Sequence, residues 1–567
     1  MNNQLVFSDY LIFVLYLVLV GSYGYWIYHK RKSKEHDSKG FFLAEGSLTW
    51  WAIGASLIAS NISAEQFIGM SGNGFFVGVA VSAYEWIAAL SLIIIAIWFI
   101  PIYLKNKIYT MPQFLKTRYN ETVAMIMAIL WLFIYIFVNL TSILYLGAVA
   151  ISGLLPEGTH IDYLHIVMIA LAVFSIFITL GGMKVIGFTD VIQVTVLILG
   201  GLATSYMALD KVSGGHGAME GFTTLLKQAP EHFHMIFKKP TVNSPQVEID
   251  KYLLLPGILM YAAGQWIVNL NYWGCNQYIT QRALGADLNT ARTGLLFAAL
   301  LKLIMPLIVM LPGIAAYVLM KQGHLPSMEH ANMDHAYSAV LGFLPAGLKG
   351  LSIAALTAAI VASLAGKINS ISTIYTLDIY KKYINKDASE QKTVWMGRAV
   401  ALVALIVAIM FTWKDVLGIS SAGGFTYIQK YTGFISPGVF AMFLLGMFWK
   451  RTTGAAAVVG VVSGVGFCLF FNEYAPAVFG NNTWFYTAYN TGTVHNGKEV
   501  FEIPFLIAMG LSFFFTVLIM VIMSLAGPKI NAKAFMLDKT MFKLSPKIIS
   551  LIVVILLLLT ALYVKFW

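Results

Sequence analysis

Polar side chains interrupt two long apolar stretches of the sequence, in a pattern that could form a cation site. The stretches are 55–70 and 264–274, and their polar residues include Asn61, Ser63, Glu65, Gln66, Gln265, Asn269 and Asn271. Such groups are costly against lipid, so they must face protein or a wet cavity. A helix broken at either place would free backbone carbonyls to bind a cation. The alternative is polar packing between helices.

The elements that carry these residues are predicted to be membrane-spanning helices. Of the 567 residues, 59% are hydrophobic and 11% are charged, whereas soluble proteins contain about 25% charged residues. The apolar runs, such as Ile166–Leu180 and Ile548–Val564, are continuous and with their flanks reach the length of a membrane helix. Continuous rather than alternating runs exclude a β-barrel. We therefore predict an all-α polytopic membrane protein.

The apolar runs predict 14 membrane spans. Their approximate bounds are 8–29, 48–75, 77–104, 122–153, 163–182, 187–209, 252–280, 293–320, 337–380, 395–413, 424–448, 454–471, 503–526 and 547–565. Each of the two polar interruptions lies in a span that opens a group of five spans. Inverted-repeat transporters have this arrangement.

Loop charges predict the orientation of the chain. Lys and Arg are more than twice as frequent in the set of loops that begins at 30–47 as in the alternate set. By the positive-inside rule, this places both termini outside the cytoplasm of a multi-pass plasma-membrane protein. The net charge of +11 is then a topology signal, so we expect the lipid bilayer rather than nucleic acid as the partner of this charge.

The sequence contains no pattern that predicts an enzyme. Its two cysteines, Cys275 and Cys468, fall in distant spans and predict neither a disulfide framework nor a zinc cluster. We find no nucleophile–base pair and no phosphate-binding loop. Uphill transport would therefore have to draw its energy from a gradient.

Several long segments resemble one transporter family. They are 59–69, 84–86, 189–193, 276–282 and 427–433. Through them the sequence resembles the sodium:solute symporter family, within it the bacterial sodium/galactose and animal sodium/glucose cotransporters. The resemblance implies a single transporter domain over 1–567 with discontinuous helices. An extra helix and loop (8–47) precede two inverted five-helix repeats (48–209 and 252–448), and three further helices follow (454–567).

The resemblance also implies a sugar site. In the family, six positions carry side chains that hydrogen-bond the hydroxyls of the sugar. The matching residues here are Asn61, Gln66, Glu85, Asn269, Lys302 and Gln429. Met70, Tyr84 and Phe425 match an outer gate, and Tyr272 matches an inner gate that stacks on the ring. Glu85 and Lys302 would neutralise each other if the fold brings them close, and the alternative for this pair is a structural ion pair. Ala88 departs from the pattern, because the galactose transporter has a serine there.

The resemblance implies a sodium site that this sequence has changed. Its ligands would be the carbonyls of Ala59, Ile62 and Ala359 with the hydroxyl of Ser363. Ala362 replaces a second hydroxyl of the family pattern, and Lys367 follows one helical turn after Ser363. We expect the Lys367 ammonium to reach the cytoplasmic interface rather than the cation site. Asp190 matches a residue on the sodium exit path, and the alternative is a carboxylate that stabilises a helix N-terminus.

These residues predict a secondary active symporter that couples sodium entry to uptake of a sugar by alternating access. The sugar would be a hexose such as galactose or glucose, or a related polyol. One alternative is a sodium-independent or proton-coupled transporter of the same fold, and another is a sugar sensor or channel. A carboxylate or nucleoside symporter is less favoured, because Glu85 would repel an anion. The sequence leaves a homo-oligomer open.

Overall fold

The computed structural model of the chain describes residues 5–31, 48–63, 65–152, 162–180, 182–241, 244–262, 264–328, 330–414, 424–495 and 497–567. Most of these residues are helical, and the predicted all-α membrane fold is confirmed.

The helices of the first part of the chain run to residue 212. They are α1 (Phe7–Arg31), α2 (Trp50–Asn61), α3 (Ser71–Val77), α4 (Ala83–Ile94), α5 (Ile100–Lys105), α6 (Met111–Arg118), α7 (Glu121–Ile134), α8 (Thr141–Ser152), α9 (Tyr163–Thr179) and α10 (Gly182–Val212). Segments of 3₁₀-helix or π-helix join several of these α-helices. The π-helical segments are Glu65–Met70, Ile95–Phe99 and Tyr135–Leu140, and a 3₁₀-helix covers Gly78–Ser82.

The helices of the second part of the chain lie between residues 218 and 448. Its helices are α11 (Ala218–Gln228), α12 (Gln246–Leu254), α13 (Gly264–Cys275), α14 (Gln277–Leu284), α15 (Leu288–Val309), α16 (Leu311–Lys321), α17 (Ala336–Leu341), α18 (Leu348–Thr373), α19 (Glu390–Thr412), α20 (Gly424–Gly433) and α21 (Ser436–Phe448). Short 3₁₀-helices cover Pro230–Phe233, Gly257–Tyr261 and His330–His335, and a π-helix extends α18 over Ile374–Ile384.

The last part of the chain contains helices and a small hairpin. The helices are α22 (Gly454–Leu469), α23 (Ala475–Phe479), α24 (Phe505–Leu525) and α25 (Pro546–Phe566), with a π-helix at Phe470–Tyr474 and a 3₁₀-helix at Lys539–Phe542. Strands β1 (Tyr489–His495) and β2 (Lys498–Glu502) pair antiparallel, with Tyr489 opposite Glu502.

Eleven helices of the described chain are long and apolar enough to cross a membrane, or twelve if one bent pair counts as a single span. The predicted number of 14 spans is therefore not confirmed by this count. Helices do lie within each of the predicted ranges. The predicted division of the chain into two inverted repeats stays a prediction.

The predicted break in the second span is present. Helix α2 ends at Asn61, and Ile62 is extended, with φ −74° and ψ 113°. A π-helical segment covers Glu65–Met70 further along the chain. Because the last four carbonyls of a helix have no partner within it, this break presents backbone oxygens inside the protein.

The interruption expected in the seventh span lies elsewhere than its polar residues suggest. The stretch from Gly264 to Cys275 is one continuous helix, α13. The helical path is left at Asn276, which is extended (φ −88°, ψ 131°) and precedes α14. The prediction of a break within 264–274 was therefore wrong in position. The Asn269 amide bonds back along α13 instead, with its Nδ2 donating to the Gln265 backbone carbonyl at 2.9 Å and to the Gln265 Oε1 at 3.3 Å.

Helix α18 is the central element of the bundle. In the most apolar stretch of the span Leu348–Ile384, 94% of the residues are buried. The helix packs against α10, α2 and α9. Glycines in α10 allow the close approach, because a Cβ added at Gly200 would lie 2.6 Å from the Cβ of Ala355. Small residues at such crossings let helix backbones pack tightly. This packing places the polar face of α18 against the broken end of α2.

A short 3₁₀-helical segment, Pro230–Phe233, packs onto the end of α3. The buried His232 ring donates from Nε2 to the Phe75 carbonyl at 2.9 Å and lies 4.0 Å from the Tyr317 ring centre. Gly78, with φ +76°, allows this contact, because a Cβ there would lie 2.2 Å from the His232 carbonyl oxygen. Burial lowers the pKa of His232 to about 4. The imidazole is therefore neutral at physiological pH.

Candidate functional site

A central cavity lies between α4, α13, α15, α20 and the segment that follows α2. Its wall includes the six residues predicted to bind sugar: Asn61, Gln66, Glu85, Asn269, Lys302 and Gln429. Of the predicted gates, Met70, Tyr84 and Tyr272 also line it. The side chain of Phe425 lies outside the described part of the chain. Ala88, the departure from the family pattern, is in the wall as well.

The charged centre of this wall is the pair formed by Glu85 and Lys302. The Lys302 Nζ donates to the Glu85 Oε2 at 2.5 Å, and the two residues are 1% and 3% exposed respectively. The same ammonium donates to the Asn61 Oδ1 and lies 5.3 Å from the Trp273 ring centre. The predicted mutual neutralisation is therefore confirmed. It leaves the cavity wall with one balanced carboxylate–ammonium pair.

Neutral hydrogen bonds extend this network to the predicted gates. The Asn61 Nδ2 donates to the Tyr272 hydroxyl at 3.0 Å, which ties the end of α2 to α13. The Tyr84 hydroxyl is hydrogen-bonded to Gln429. Gln66 accepts from the Ser63 backbone N–H at 2.9 Å, so the break after α2 is held by a residue of the cavity wall. Donors and acceptors thus alternate around the cavity, as a polyhydroxylated solute requires.

One of the predicted cation residues contacts the broken end of α2. Ser363 donates from Oγ to the carbonyl of Ser60 at 3.1 Å, and Ser60 follows Ala59 near the end of α2. Ala359 lies one turn earlier on the same face of α18. The methyl group of Ala362 provides no oxygen. The geometry therefore offers one hydroxyl and backbone carbonyls to a small cation.

Lys367 does not extend to the cytoplasmic interface, so the expectation for this residue was wrong. Its Nζ donates to the Ser363 Oγ at 3.0 Å and lies 4.8 Å from the Tyr278 ring centre. The residue is only 3% exposed. The spacing of four residues puts Lys367 and Ser363 on one helix face, and the hydroxyl and the tyrosine ring hold the ammonium inside.

Asp190 lies in a second buried ionic cluster, further along α2 from its broken end. Its Oδ2 accepts from the Ser56 Oγ at 2.5 Å and lies 3.6 Å from the Arg282 Nη2. Arg282 also donates from Nε to the Ser56 Oγ at 2.7 Å. Because α10 begins at Gly182, Asp190 lies two turns inside the helix. The alternative role as a carboxylate at a helix N-terminus is therefore excluded.

The residues 41–464 match the sodium:solute symporter family model. The chain is 45% identical over 482 residues to the sodium/glucose cotransporter of Vibrio parahaemolyticus, covering 83% of this chain and 86% of that protein. It is 34% identical to the human sodium/myo-inositol cotransporter 2, covering 81% and 68% of the two chains. The chain belongs to the sodium:solute symporter family. Membership implies a membrane-embedded solute transporter rather than an enzyme, with sodium as the coupling ion.

The symporter also has the fold of a solved family structure. A sodium-coupled sialic acid symporter in a substrate-bound outward-open state superposes with a TM-score of 0.75, covering 93% of this chain and 99% of that one. The two sequences are only 20% identical, so this likeness concerns the fold alone. It agrees with the fold class expected from the two interrupted apolar stretches.

Some cavity residues of the symporter were not predicted from the sequence. They are Trp131, Tyr135, Asn139 and Asn276. Asn139 is a buried amide within an otherwise apolar span, which is the signal that identified Asn61. Arg282 was counted among the loop charges, and its place beside Asp190 has no signal in a single sequence.

Proposed function

We propose that the symporter couples sodium entry to the uptake of a neutral sugar or cyclic polyol, such as galactose, glucose or an inositol. The observation that carries this proposal is the network of Glu85, Lys302 and Asn61 in the wall of the central cavity. A carboxylate, an ammonium and an amide in contact offer donors and acceptors to adjacent hydroxyls. The names of the relatives, which are sodium/glucose and sodium/myo-inositol cotransporters, support the same solute class.

The charged pair at the centre of the site favours a neutral solute over an anion, since the third charged residue of the described wall, Lys367, donates its hydrogen bond to Ser363. Glu85 is balanced by Lys302 at 2.5 Å, so the pair attracts neither sign of charge strongly. An anionic solute would have to approach the Glu85 carboxylate in a buried site, where repulsion is poorly screened. A neutral ring with hydroxyls can instead exchange hydrogen bonds with the pair and stack its apolar face on Tyr272.

We assign roles to the remaining residues by their positions. Gln66, Asn269 and Gln429 bind hydroxyls around the rim, and Met70, Tyr84 and Phe425 close the outer side. Ala59, Ile62, Ala359 and Ser363 hold sodium between α2 and α18. Asp190 lies on the inner route of sodium, which is closed while Arg282 and Ser56 bind its carboxylate. The protein lies in the plasma membrane with both termini outside, and its repeats are 48–209 and 252–448.

Alternating access follows from which elements these contacts join. A cation bound to Ser363 and the carbonyls of Ala59 and Ile62 fastens α18 to the end of α2. The solute fastens the same broken segment to α4, α13 and α15. Tyr272 leaves Asn61, and Arg282 leaves Asp190, when the inner side opens. Sodium and solute therefore stabilise one arrangement of the same helices, which is the basis of coupling.

The test is uptake by purified protein reconstituted in vesicles under an imposed inward sodium gradient. Uptake of galactose, glucose, myo-inositol and sialic acid is measured with sodium and, as a control, with choline in place of sodium. We expect accumulation of a neutral solute above equilibrium only with sodium. Gln66→Ala is the matched variant of the solute site, and we expect it to take up the same solute more weakly. Absence of any neutral-solute accumulation, or accumulation of sialic acid alone, would refute the proposal.

A second candidate is sodium-independent uptake of the same solute. The contact between Lys367 and Ser363 favours it, because an ammonium already lies against the proposed sodium ligand. Equal accumulation in choline and sodium would support this candidate. Solute-induced current without accumulation would support a sensor or channel instead.

A further inference from the structure

The cation region of the symporter contains a positive charge of its own. Lys367 donates from Nζ to the Ser363 Oγ at 3.0 Å, and the same hydroxyl donates to the Ser60 carbonyl at 3.1 Å. The lone-pair side of the Ser363 oxygen therefore faces the ammonium. A sodium ion needs that side of the oxygen. In this arrangement the ammonium takes the direction from which Ser363 would coordinate sodium.

Lys367 and sodium cannot share this place. Both would contact one hydroxyl oxygen, so two unit positive charges would lie a few ångströms apart in a buried region, where their repulsion is large. Ala362 supplies no second oxygen that could hold the ion farther from Lys367. The missing hydroxyl at Ala362, next to Ser363 in sequence, and the ammonium of Lys367, one helical turn after Ser363, thus both affect the surroundings of the same serine.

The side chain of Lys367 has somewhere else to go. The residue lines the central cavity as well as contacting Ser363. Tyr278, whose ring centre lies 4.8 Å from Nζ, lines the same cavity. Rotation about its flexible four-carbon chain would carry the ammonium from Ser363 towards the cavity while it stays near this ring.

We propose that Lys367 is a tethered cation that occupies the sodium position of Ser363 when sodium is absent and moves towards the solute cavity when sodium binds. This inference rests on the proposed sodium coupling. In the displaced position the ammonium can donate a hydrogen bond to a solute hydroxyl. Sodium binding would thereby complete the solute site, and solute would in turn favour sodium by the same factor.

The experiment measures sodium binding to the purified protein in detergent, by isothermal titration and by sodium-dependent change in tryptophan fluorescence. Choline is used to keep ionic strength constant. The variants are Lys367→Met, Lys367→Gln and Lys367→Arg, and size-exclusion profiles check that each is folded. We expect Met and Gln to bind sodium at least about tenfold more tightly than the parent, because the competing charge is gone. The Arg variant keeps the charge and gains no such affinity.

Solute binding separates displacement from simple blockage. In the parent, saturating sodium should tighten solute binding several-fold, whereas in Lys367→Met this coupling should shrink although sodium binds better. Unchanged or weaker sodium binding in both neutral variants would overturn the inference, as would equal gains in Lys367→Arg. Sodium-driven uptake by the parent is measured in parallel. If the parent accumulates solute but the variants bind sodium no better, only this inference fails, whereas failure of parental uptake would remove the proposed function itself.

Discussion

The Glu85–Lys302 pair gives the sharpest test of the proposed solute site, because it can be dissected into a structural and a binding part. We consider the single variants Glu85→Gln and Lys302→Met and the double variant that combines them. In the parent the two charges lie 2.5 Å apart and are almost completely buried. Each single change leaves one buried charge without its partner, whereas the double change leaves none.

The magnitudes differ between the two parts. Removing one member of a buried ion pair costs about 3–5 kcal/mol of stability, whereas replacing both by neutral groups is often nearly neutral. A hydrogen bond from a charged group to a solute hydroxyl contributes about 1.5–3 kcal/mol. Its loss would weaken solute binding about 10- to 150-fold. We therefore expect the double variant to regain stability but not affinity.

The assay pairs thermal unfolding in detergent with solute binding at saturating sodium. Ser436→Ala is the matched control, because Ser436 lines the same cavity and its hydrogen bonds are neutral: it accepts from Asn271 at 3.0 Å and donates to the Thr432 carbonyl at 2.9 Å. That change should alter solute affinity by less than about threefold, because the hydrogen bonds that it removes are neutral and do not involve the solute. A double variant with parental affinity would refute the solute role and leave a purely structural ion pair.

Three further predictions follow from other contacts. Asp190→Asn should lower sodium-driven uptake and the unfolding temperature, because Arg282 loses its buried carboxylate, and parental values for both would exclude Asp190 from the sodium route. Ala362→Ser in a Lys367→Met background should lower the sodium concentration for half-maximal uptake several-fold, since one added ligand contributes about 1 kcal/mol; an unchanged concentration would count against a cation at this turn. Because the folded protein holds the pKa of His232 at about 4 and the unfolded chain at 6.5, stability should fall by up to about 3 kcal/mol as pH drops from 6.5 to 4. His232→Gln should lack this part of the decline, and identical pH profiles would contradict it.

The fold was largely predictable because membrane helices are constrained by length and polarity. An apolar run such as 548–564 can only be a helix in lipid, and Pro546–Phe566 is one. The break after Asn61 was predictable for the same reason, since a cluster of polar groups must face inward. The break at Asn276 was misplaced because the Asn269 amide bonds back to Gln265 within the continuous helix α13, which a list of polar residues does not reveal.

The site was predictable where charge alone decides. Glu85 and Lys302 each need a partner of opposite charge at membrane depth, so each is the expected partner of the other. Lys367 shows the limit of this reasoning. Its side chain is long enough to reach either the interface or Ser363, and only the position of Tyr278 and the broken end of α2 decides between them. Arg282 shows a second limit, because a cation near a helix end has the same sequence pattern whether it faces lipid headgroups or Asp190.

The polar contacts of the site share one topological property that bears on mechanism. Glu85 binds Lys302, and Asp190 binds Arg282. Asn61 binds Tyr272, and the Ser60 carbonyl binds Ser363. Each contact joins a residue of the first predicted repeat to a residue of the second. Apolar packing between the repeats would resist sliding, whereas hydrogen bonds and ion pairs can be exchanged for bonds to a solute hydroxyl or a cation at little net cost. These contacts thus join the two predicted repeats through the same groups that the proposed solute and cation would engage, so binding and the rearrangement of these segments compete for one set of bonds.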